Sequence, residues 1–223
     1  RSIAGPNSRK VLEKIVRDDV SNEKFKFRDS RRMFVGGVPA IINRISFTGE
    51  LGYEIYVAPH YQLKLYEELM EAGKEFNIKP FGGRALMSMR LEKNWGAWTL
   101  DYRPDFTAKE TGLDAFINWD KEFIGKESAQ KENSSNKLVP LIVETNEIDV
   151  TNNEAVLNGD QSIGYVTSGG FAHFVNKSVA FTFVDQKNIK SENKIQVEIN
   201  GDLFNCSIIK EPLYDPSGQK MRS

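Results

Sequence analysis

Arg44-Ile45-Ser46-Phe47-Thr48-Gly49-Glu50-Leu51-Gly52-Tyr53-Glu54-Ile55 joins two alternating segments through a turn signal, and its reading organises the rest of the chain. Ile45 and Phe47 alternate with polar neighbours, Thr48-Gly49-Glu50 supplies a reversal, and Tyr53 and Ile55 resume the alternation. The pattern predicts a strand, a tight turn and a second strand. Because side chains alternate along a strand, Glu54 belongs on the face opposite Tyr53 and Ile55. A carboxylate there is either solvated on an outer face or paired inside a cavity, and periodicity allows both. Glu50, in the turn, is expected to be exposed.

Outward from this stretch the pattern is mixed. Val11, Leu12, Ile15 and Val16 fall at helical spacing after Gly5-Pro6, with Asn7 or Ser8 available as cap, which predicts a helix over 7–17. Phe25 to Ile42 is strand-rich, interrupted by Gly36-Gly37. From His60 to Phe76 one stripe carries Leu65, Tyr66, Leu69, Met70 and Phe76 against a charged opposite face, an amphipathic helix. Gly82-Gly83 precedes a further helix over 84–92. Residues 93–125 are irregular and aromatic, with Trp95, Trp98, Tyr102 and Trp119, residues that line a pocket or form a satellite core.

A short helix is expected at 126–131, and the polar run Glu132-Asn133-Ser134-Ser135-Asn136 reads as a boundary, dividing the chain into 1–134 and 135–223. Beyond it, short apolar segments at 138–143, 162–166, 179–184, 195–199 and 203–209 are separated by turn residues, including Asn158-Gly159 and Asn200-Gly201. Five to seven antiparallel strands closing into a small barrel follow from that spacing.

Composition narrows the function classes. Thirty basic residues against thirty-one acidic give a formal net charge of −1, with the signs interspersed, so neither nucleic acid nor an anionic membrane is indicated as partner. One cysteine, Cys206, and two histidines, His60 and His173, are too few for a zinc or iron–sulfur site, and no metal is expected. A dinucleotide-binding G-x-G-x-x-G, a phosphate-binding G-x-x-x-x-G-K-[ST] and a G-x-S-x-G elbow are all missing from the sequence. The chain opens at Arg1 with Ile3-Ala4-Gly5-Pro6 reading as a strand that turns into a helix, so it is expected to be part of a longer polypeptide.

Four motifs carry a resemblance. Phe47-Thr48-Gly49-Glu50-Leu51-Gly52-Tyr53-Glu54, Arg90-Leu91-Glu92-Lys93, Phe123-Ile124-Gly125-Lys126-Glu127 and Gly164-Tyr165-Val166-Thr167-Ser168-Gly169-Gly170 stand in the order and spacing of the aminomethyltransferase family, which includes the glycine cleavage T-protein. The chain most resembles the carboxy-terminal folate-binding region of dimethylglycine and sarcosine dehydrogenases, through Arg84-Ala85-Leu86 and Glu211-Pro212-Leu213-Tyr214-Asp215-Pro216. The likeness spans essentially the whole chain. It implies an α+β fold: the carboxy-terminal part of a folate-binding aminomethyltransferase domain in 1–134 and a small antiparallel β-barrel in 135–223.

The resemblance also implies tetrahydrofolate as cofactor, with Glu54 at the pterin edge, where a carboxylate accepts the ring N–H and the exocyclic amine side by side. Trp95 matches an aromatic of the folate pocket. Phe47 stands where the family usually has Tyr, keeping a stacking surface without the hydroxyl. Leu86 occupies the position of a folate-contacting Arg, and Arg84, a further candidate contact, lies two residues earlier, about 200° around a helix. The aspartate thought to assist transfer in the T-protein precedes the region equivalent to Arg1, so the catalytic residues are unassigned. FAD, in the dehydrogenase branch, would belong to a domain preceding this chain.

The partners implied are a small-molecule amine, folate, the amino-terminal half of the folate domain and a possible flavin domain; the location implied is bacterial cytoplasm or mitochondrial matrix. The functions to be separated are a demethylating amine dehydrogenase, a T-protein aminomethyltransferase, and a non-catalytic folate-fold module in iron–sulfur assembly or RNA modification. The last carries a Lys-Gly-Cys-Tyr type motif, and Lys121-Glu122-Phe123-Ile124-Gly125 has no cysteine.

Overall fold

Strand pairing around Glu54 is antiparallel on both sides. In the computed structural model, which describes residues 1–145, 147–189 and 195–223, strands β1 (Ser2–Ala4), β2 (Ser30–Val35), β3 (Val38–Asn43) and β4 (Gly52–Tyr56) form a four-stranded sheet in the order β1-β4-β3-β2. Gly36 and Gly37, with φ of 56° and 79°, turn β2 into β3 in two residues, the positive-φ pair that a tight hairpin requires. Helices α1 (Ser8–Glu13) and α2 (Gln62–Gly73) cover one face of the sheet. There Ile3, Val11, Leu12, Phe25, Met33, Val35, Ile42, Tyr53, Ile55, Leu65 and Leu69 make a single core. Each fully buried aliphatic side chain stabilises it by ~1.5–3 kcal/mol.

Helix α1 is shorter than the 7–17 periodicity suggests. Its apolar stripe continues past Glu13 only as turns, with Ile15 and Val16 both donating to the Leu12 carbonyl. Helix α2 fills the expected span, flanked by single 3-10 turns at 59–61 and 74–76 and ended by Asn77 in the left-handed conformation (φ 55°). Helix α3 (Gly83–Glu92) follows.

The 44–55 stretch itself departs from the expected hairpin. Residues 44–47 are not a strand; β3 ends at Asn43, β4 starts at Gly52, and an eight-residue loop joins them. The cause is anchoring outside the ladder. Arg44 is buried and donates to the carbonyls of Phe25 (2.5 Å), Arg222 (3.0 Å) and Ser223 (2.8 Å). The Ser46 and Thr48 side chains accept from the backbone of Gly49 and Glu50, closing local turns that compete with strand pairing.

Strands β5 (Asn136–Val143), β6 (Ala155–Asn158), β7 (Gln161–Ala172), β8 (Lys177–Asp185), β9 (Ile195–Ile199) and β10 (Asp202–Ile208) close into a barrel in the order β10-β5-β8-β7-β6-β9. This is the antiparallel barrel that the strand spacing predicts. Inward residues such as Leu141, Val143, Val156, Val166, Ala180, Val197 and Ile199 fill it, and closure leaves no open edge. Asn200-Gly201 forms the expected two-residue turn, with φ of 54° and 91°. At the other hairpin Asn158 pairs with Gln161, so the turn is Gly159-Asp160, one residue later than the dipeptide suggests. Strand β6, four residues long, is too short to register as a periodic segment.

Two compact units result: Arg1–Lys93 with Tyr214–Ser223, and Asn94–Leu213. Residues 94–134, including the short helix α4 (Lys126–Lys131), go with the barrel because the Leu138 amide donates to the Glu110 carbonyl (2.8 Å) and Phe106 stacks on Phe183 with centroids 4.0 Å apart. The last ten residues, with helix α5 (Gln219–Arg222), belong to the first unit. No helix among the described residues is long and apolar enough to cross a membrane.

Candidate functional site

Register fixes what surrounds Glu54. Tyr53 pairs with Ile3, and Ile55 with Ile42, on the core face. Glu54 therefore projects from the outer face, directly opposite Asn43 on β3 and Ser2 on β1, and Asn43 in turn faces Ser30 on β2. A polar row, Ser2, Glu54, Asn43 and Ser30, thus crosses the whole sheet, with Ser30 and Asn43 hydrogen-bonded at 2.7 Å. The neighbouring rows on this face hold Tyr56, Ile41 and Arg32, then Pro39 and Phe34. Phe34 and Tyr56 are 62% and 53% exposed, so the face around the carboxylate is open and partly aromatic.

Tyr56, two residues along the strand from Glu54, donates its hydroxyl to Glu54 Oε2 at 2.5 Å. That hydrogen bond to a carboxylate pushes the phenol's pKa up. The pair is a consequence of period two, and it is the one feature of the site that the alternation Glu54-Ile55-Tyr56 could have revealed from sequence. On the core side, Tyr53 stacks on Phe25 (5.8 Å), its hydroxyl accepts from Arg9 Nε (3.2 Å), and burial raises its pKa.

The other residues implied by the family are dispersed. Phe47 is half-buried in the 44–51 loop, and Arg84 is exposed in the first turn of α3. Trp95 is half-buried just beyond α3, in the second unit. An open groove of about 600 Å³ in the first unit is lined by Ile3, Pro6, Leu69, Met70, Phe76 and Leu86, among others; Glu54, Phe47 and Arg84 do not line it. Leu86 presents an apolar surface there where a T-protein-like pattern implies an arginine.

Three motifs that are distant in sequence meet within the first unit. The Tyr214 amide donates to the Glu92 carbonyl (2.9 Å), and the Tyr214 hydroxyl donates to Glu50 Oε1. Glu50 is thus paired rather than simply solvent-exposed. The Lys93 ammonium, on a side chain 2% exposed, donates to the carbonyls of Asp215 (2.6 Å) and Tyr214 (3.2 Å) and lies 3.8 Å from Asp215 Oδ2. Burial lowers the pKa of Lys93, an effect that Asp215 opposes. For Tyr214, burial and then the bond to Glu50 raise the pKa. Sequence spacing could not bring these groups together, because about 120 residues separate Lys93 from Tyr214.

In the second unit the Gly164–Gly170 motif has a structural explanation. Register shifts between Val166 and Ser168, leaving Thr167 as a bulge. The Thr167 and Ser168 hydroxyls then donate to one oxygen of the buried Asp101 carboxylate at 2.5 and 2.7 Å, while the Ala97 amide donates to the other at 2.8 Å. Asp101 holds the aromatic 97–102 loop to β7. Among the described residues no group of three His, Cys, Asp or Glu side chains is arranged to hold a metal ion.

A helix-covered sheet with a motif-bearing outer face, followed by a closed antiparallel barrel, matches two family models in register. The GCVT N-terminal domain matches residues 2–121 and the glycine cleavage T-protein C-terminal barrel domain matches residues 136–215. The chain belongs to the glycine cleavage T-protein, or aminomethyltransferase, family.

Its relatives include a dehydrogenase and an aminomethyltransferase. It is 35% identical over 216 residues to the mitochondrial dimethylglycine dehydrogenase of Homo sapiens, covering 95% of this chain and 25% of that protein. It is 33% identical over 221 residues to the aminomethyltransferase of Bacillus mycoides, covering 97% of this chain and 60% of that one. Among solved structures, the glycine cleavage system aminomethyltransferase T from Bartonella henselae has a TM-score of 0.71 at 24% identity, over 79% of this chain and 50% of that one. The chain thus spans a quarter of the length of the dehydrogenase relatives and about three fifths of the aminomethyltransferases.

Proposed function

We propose that this chain supplies the pterin-recognising part of a tetrahydrofolate site in a one-carbon-transfer enzyme of the dimethylglycine and sarcosine dehydrogenase type. The observation that carries the reading is Glu54: a carboxylate in the family's motif, on an open sheet face, inside a polar row and beside an aromatic. Its acceptor positions fit the ligand. One carboxylate oxygen is engaged by Tyr56, which fixes the plane of the group, and the remaining acceptor positions suit the adjacent N–H and amino donors of a pterin.

When bound, tetrahydrofolate would supply the nitrogen that takes up a carbon unit released from an N-methyl amine. The chain's own part is to bind and orient. Glu54 would accept the pterin donors, Phe47 would offer a ring surface, and Arg84 would offer a cation to an anionic ligand. Holding the ligand in a fixed pose removes orientational freedom that would otherwise slow the encounter. The catalytic aspartate and FAD would be carried by polypeptide outside these residues. The 35% identity to dimethylglycine dehydrogenase supports this branch, and the 33% identity to aminomethyltransferase supports the alternative, transfer of a lipoyl-bound aminomethyl group.

The test is titration of the full-length protein with tetrahydrofolate, with and without Glu54→Ala. Loss of both pterin acceptors should weaken binding by ~2 kcal/mol or more. Unchanged affinity would remove Glu54 from the site. Oxidation of dimethylglycine or sarcosine with an electron acceptor, assayed beside aminomethyl transfer, separates the two enzyme readings.

A further inference from the structure

We propose that Tyr214 is a positioning residue for the Glu54 site: bonded to Glu50 through its hydroxyl and to Lys93 through its carbonyl, it sets the loop that leads into β4 and so the placement of Glu54. The inference rests on the folate reading above. It starts from a gap in the sheet. Asn43, opposite Glu54, is the last β3 residue paired with β4, so on that side Gly52 and Tyr53 have no strand partner. The start of β4 is held by the three-residue β1 and by whatever fixes the 44–51 loop.

The loop is fixed at three successive residues. Gly49 has φ 87°, and a Cβ there would lie 2.6 Å from Lys93 Cγ and 3.3 Å from Tyr214 Cδ1, so the loop backbone rests directly on these two side chains. Glu50 accepts the Tyr214 hydroxyl. The Leu51 carbonyl accepts from the Gly5 amide (2.9 Å) and the Ser8 hydroxyl (3.0 Å).

Tyr214 is held firmly in its turn. Lys220 Nζ donates to its hydroxyl at 2.6 Å and lies 4.2 Å from its ring centroid. Lys93 binds the carbonyls of residues 214 and 215, and the Asp215 carboxylate accepts the amides of Gln219 (3.2 Å) and Lys220 (3.0 Å) at the start of α5. Glu50 and Glu54 are four residues apart, joined by one strand start. A change at Tyr214 therefore reaches Glu54 through the backbone, without any contact between Tyr214 and ligand.

The experiment is a double-mutant cycle in the full-length protein, read as tetrahydrofolate affinity well below the unfolding temperature. Tyr214→Phe keeps the ring and removes only the bridging hydroxyl; it should weaken binding about fivefold to tenfold. Glu54→Ala should weaken it about thirtyfold or more, and the double variant should match Glu54→Ala alone within about a factor of two. Glu50→Gln, which keeps an acceptor for the hydroxyl, should retain near-normal affinity, whereas Glu50→Ala should reproduce Tyr214→Phe and is read in its place if the latter does not fold. Normal affinity in Tyr214→Phe, or losses that multiply in the double variant, would overturn the positioning role while leaving Glu54 in the site. No effect of Glu54→Ala would overturn the folate reading and the positioning role with it.

Discussion

Asp101 and Thr167 form a buried polar contact in the barrel unit: the wholly buried carboxylate accepts the hydroxyl of the bulged threonine at 2.5 Å. The same carboxylate takes up the Ser168 hydroxyl and the Ala97 amide. Asp101→Ala would remove the acceptor of the Ser168 hydroxyl and the Ala97 amide at once, and it should destabilise the protein by about 3 kcal/mol or more in urea unfolding. Thr167→Ser, which keeps the hydroxyl, should cost about 1 kcal/mol or less.

The two faces of β4 should respond oppositely to truncation. Tyr53, fully buried against Phe25, should cost about 3–5 kcal/mol on replacement by Ala. Glu54→Ala, on the outer face, should change stability by about 0.5 kcal/mol or less, so that any loss of ligand affinity is not a folding effect. Thermal unfolding of the two variants side by side checks the register.

Gly49→Ala combines a left-handed backbone with a close approach to the buried stem of Lys93. Strain of ~1–2 kcal/mol is expected from the conformation alone, with a further loss as Lys93, tied to Tyr214 and Asp215, yields little space. Gly112→Ala shares the positive φ (74°) in open space and should pay only the conformational part. The difference between the two in denaturant midpoint measures the contact.

Cys206, the only cysteine, is half-buried, and desolvation pushes its pKa up to about 12. Reaction with a disulfide reagent at about pH 8 should be far slower in the native protein than in the denatured chain. The folded thiol keeps its proton where the unfolded one, near 9.0, releases it. This group's contribution to stability is therefore intact below pH 9.0 and lost progressively as pH rises toward about 12. Native alkylation as fast as that of the unfolded chain would contradict the burial.

Much of the architecture was legible in the residues. Alternation marked five of the six barrel strands, Asn200-Gly201 marked a turn that only positive φ can make, and the stripe of Leu65 and Leu69 marked α2. These are local properties: a strand's two faces and a helix's stripe repeat within a few residues, so they survive in the linear text. The same alternation put Glu54 opposite Tyr53 and Ile55, where it is found.

What lay beyond the sequence was decided by closure over long distances. Arg44 carries a strand-like neighbourhood, yet its guanidinium reaches carbonyls at residues 25, 222 and 223, and the segment becomes loop. Glu50 reads as exposed until Tyr214, 164 positions away, arrives to bind it. Thr167 and Ser168 read as strand until a bulge turns both hydroxyls onto Asp101. Sequence by itself determined the family, the barrel and the face that bears Glu54. Tertiary structure alone decided which polar groups share a partner, because a buried donor or acceptor must be satisfied by whatever the fold brings to it, and no local period records that choice.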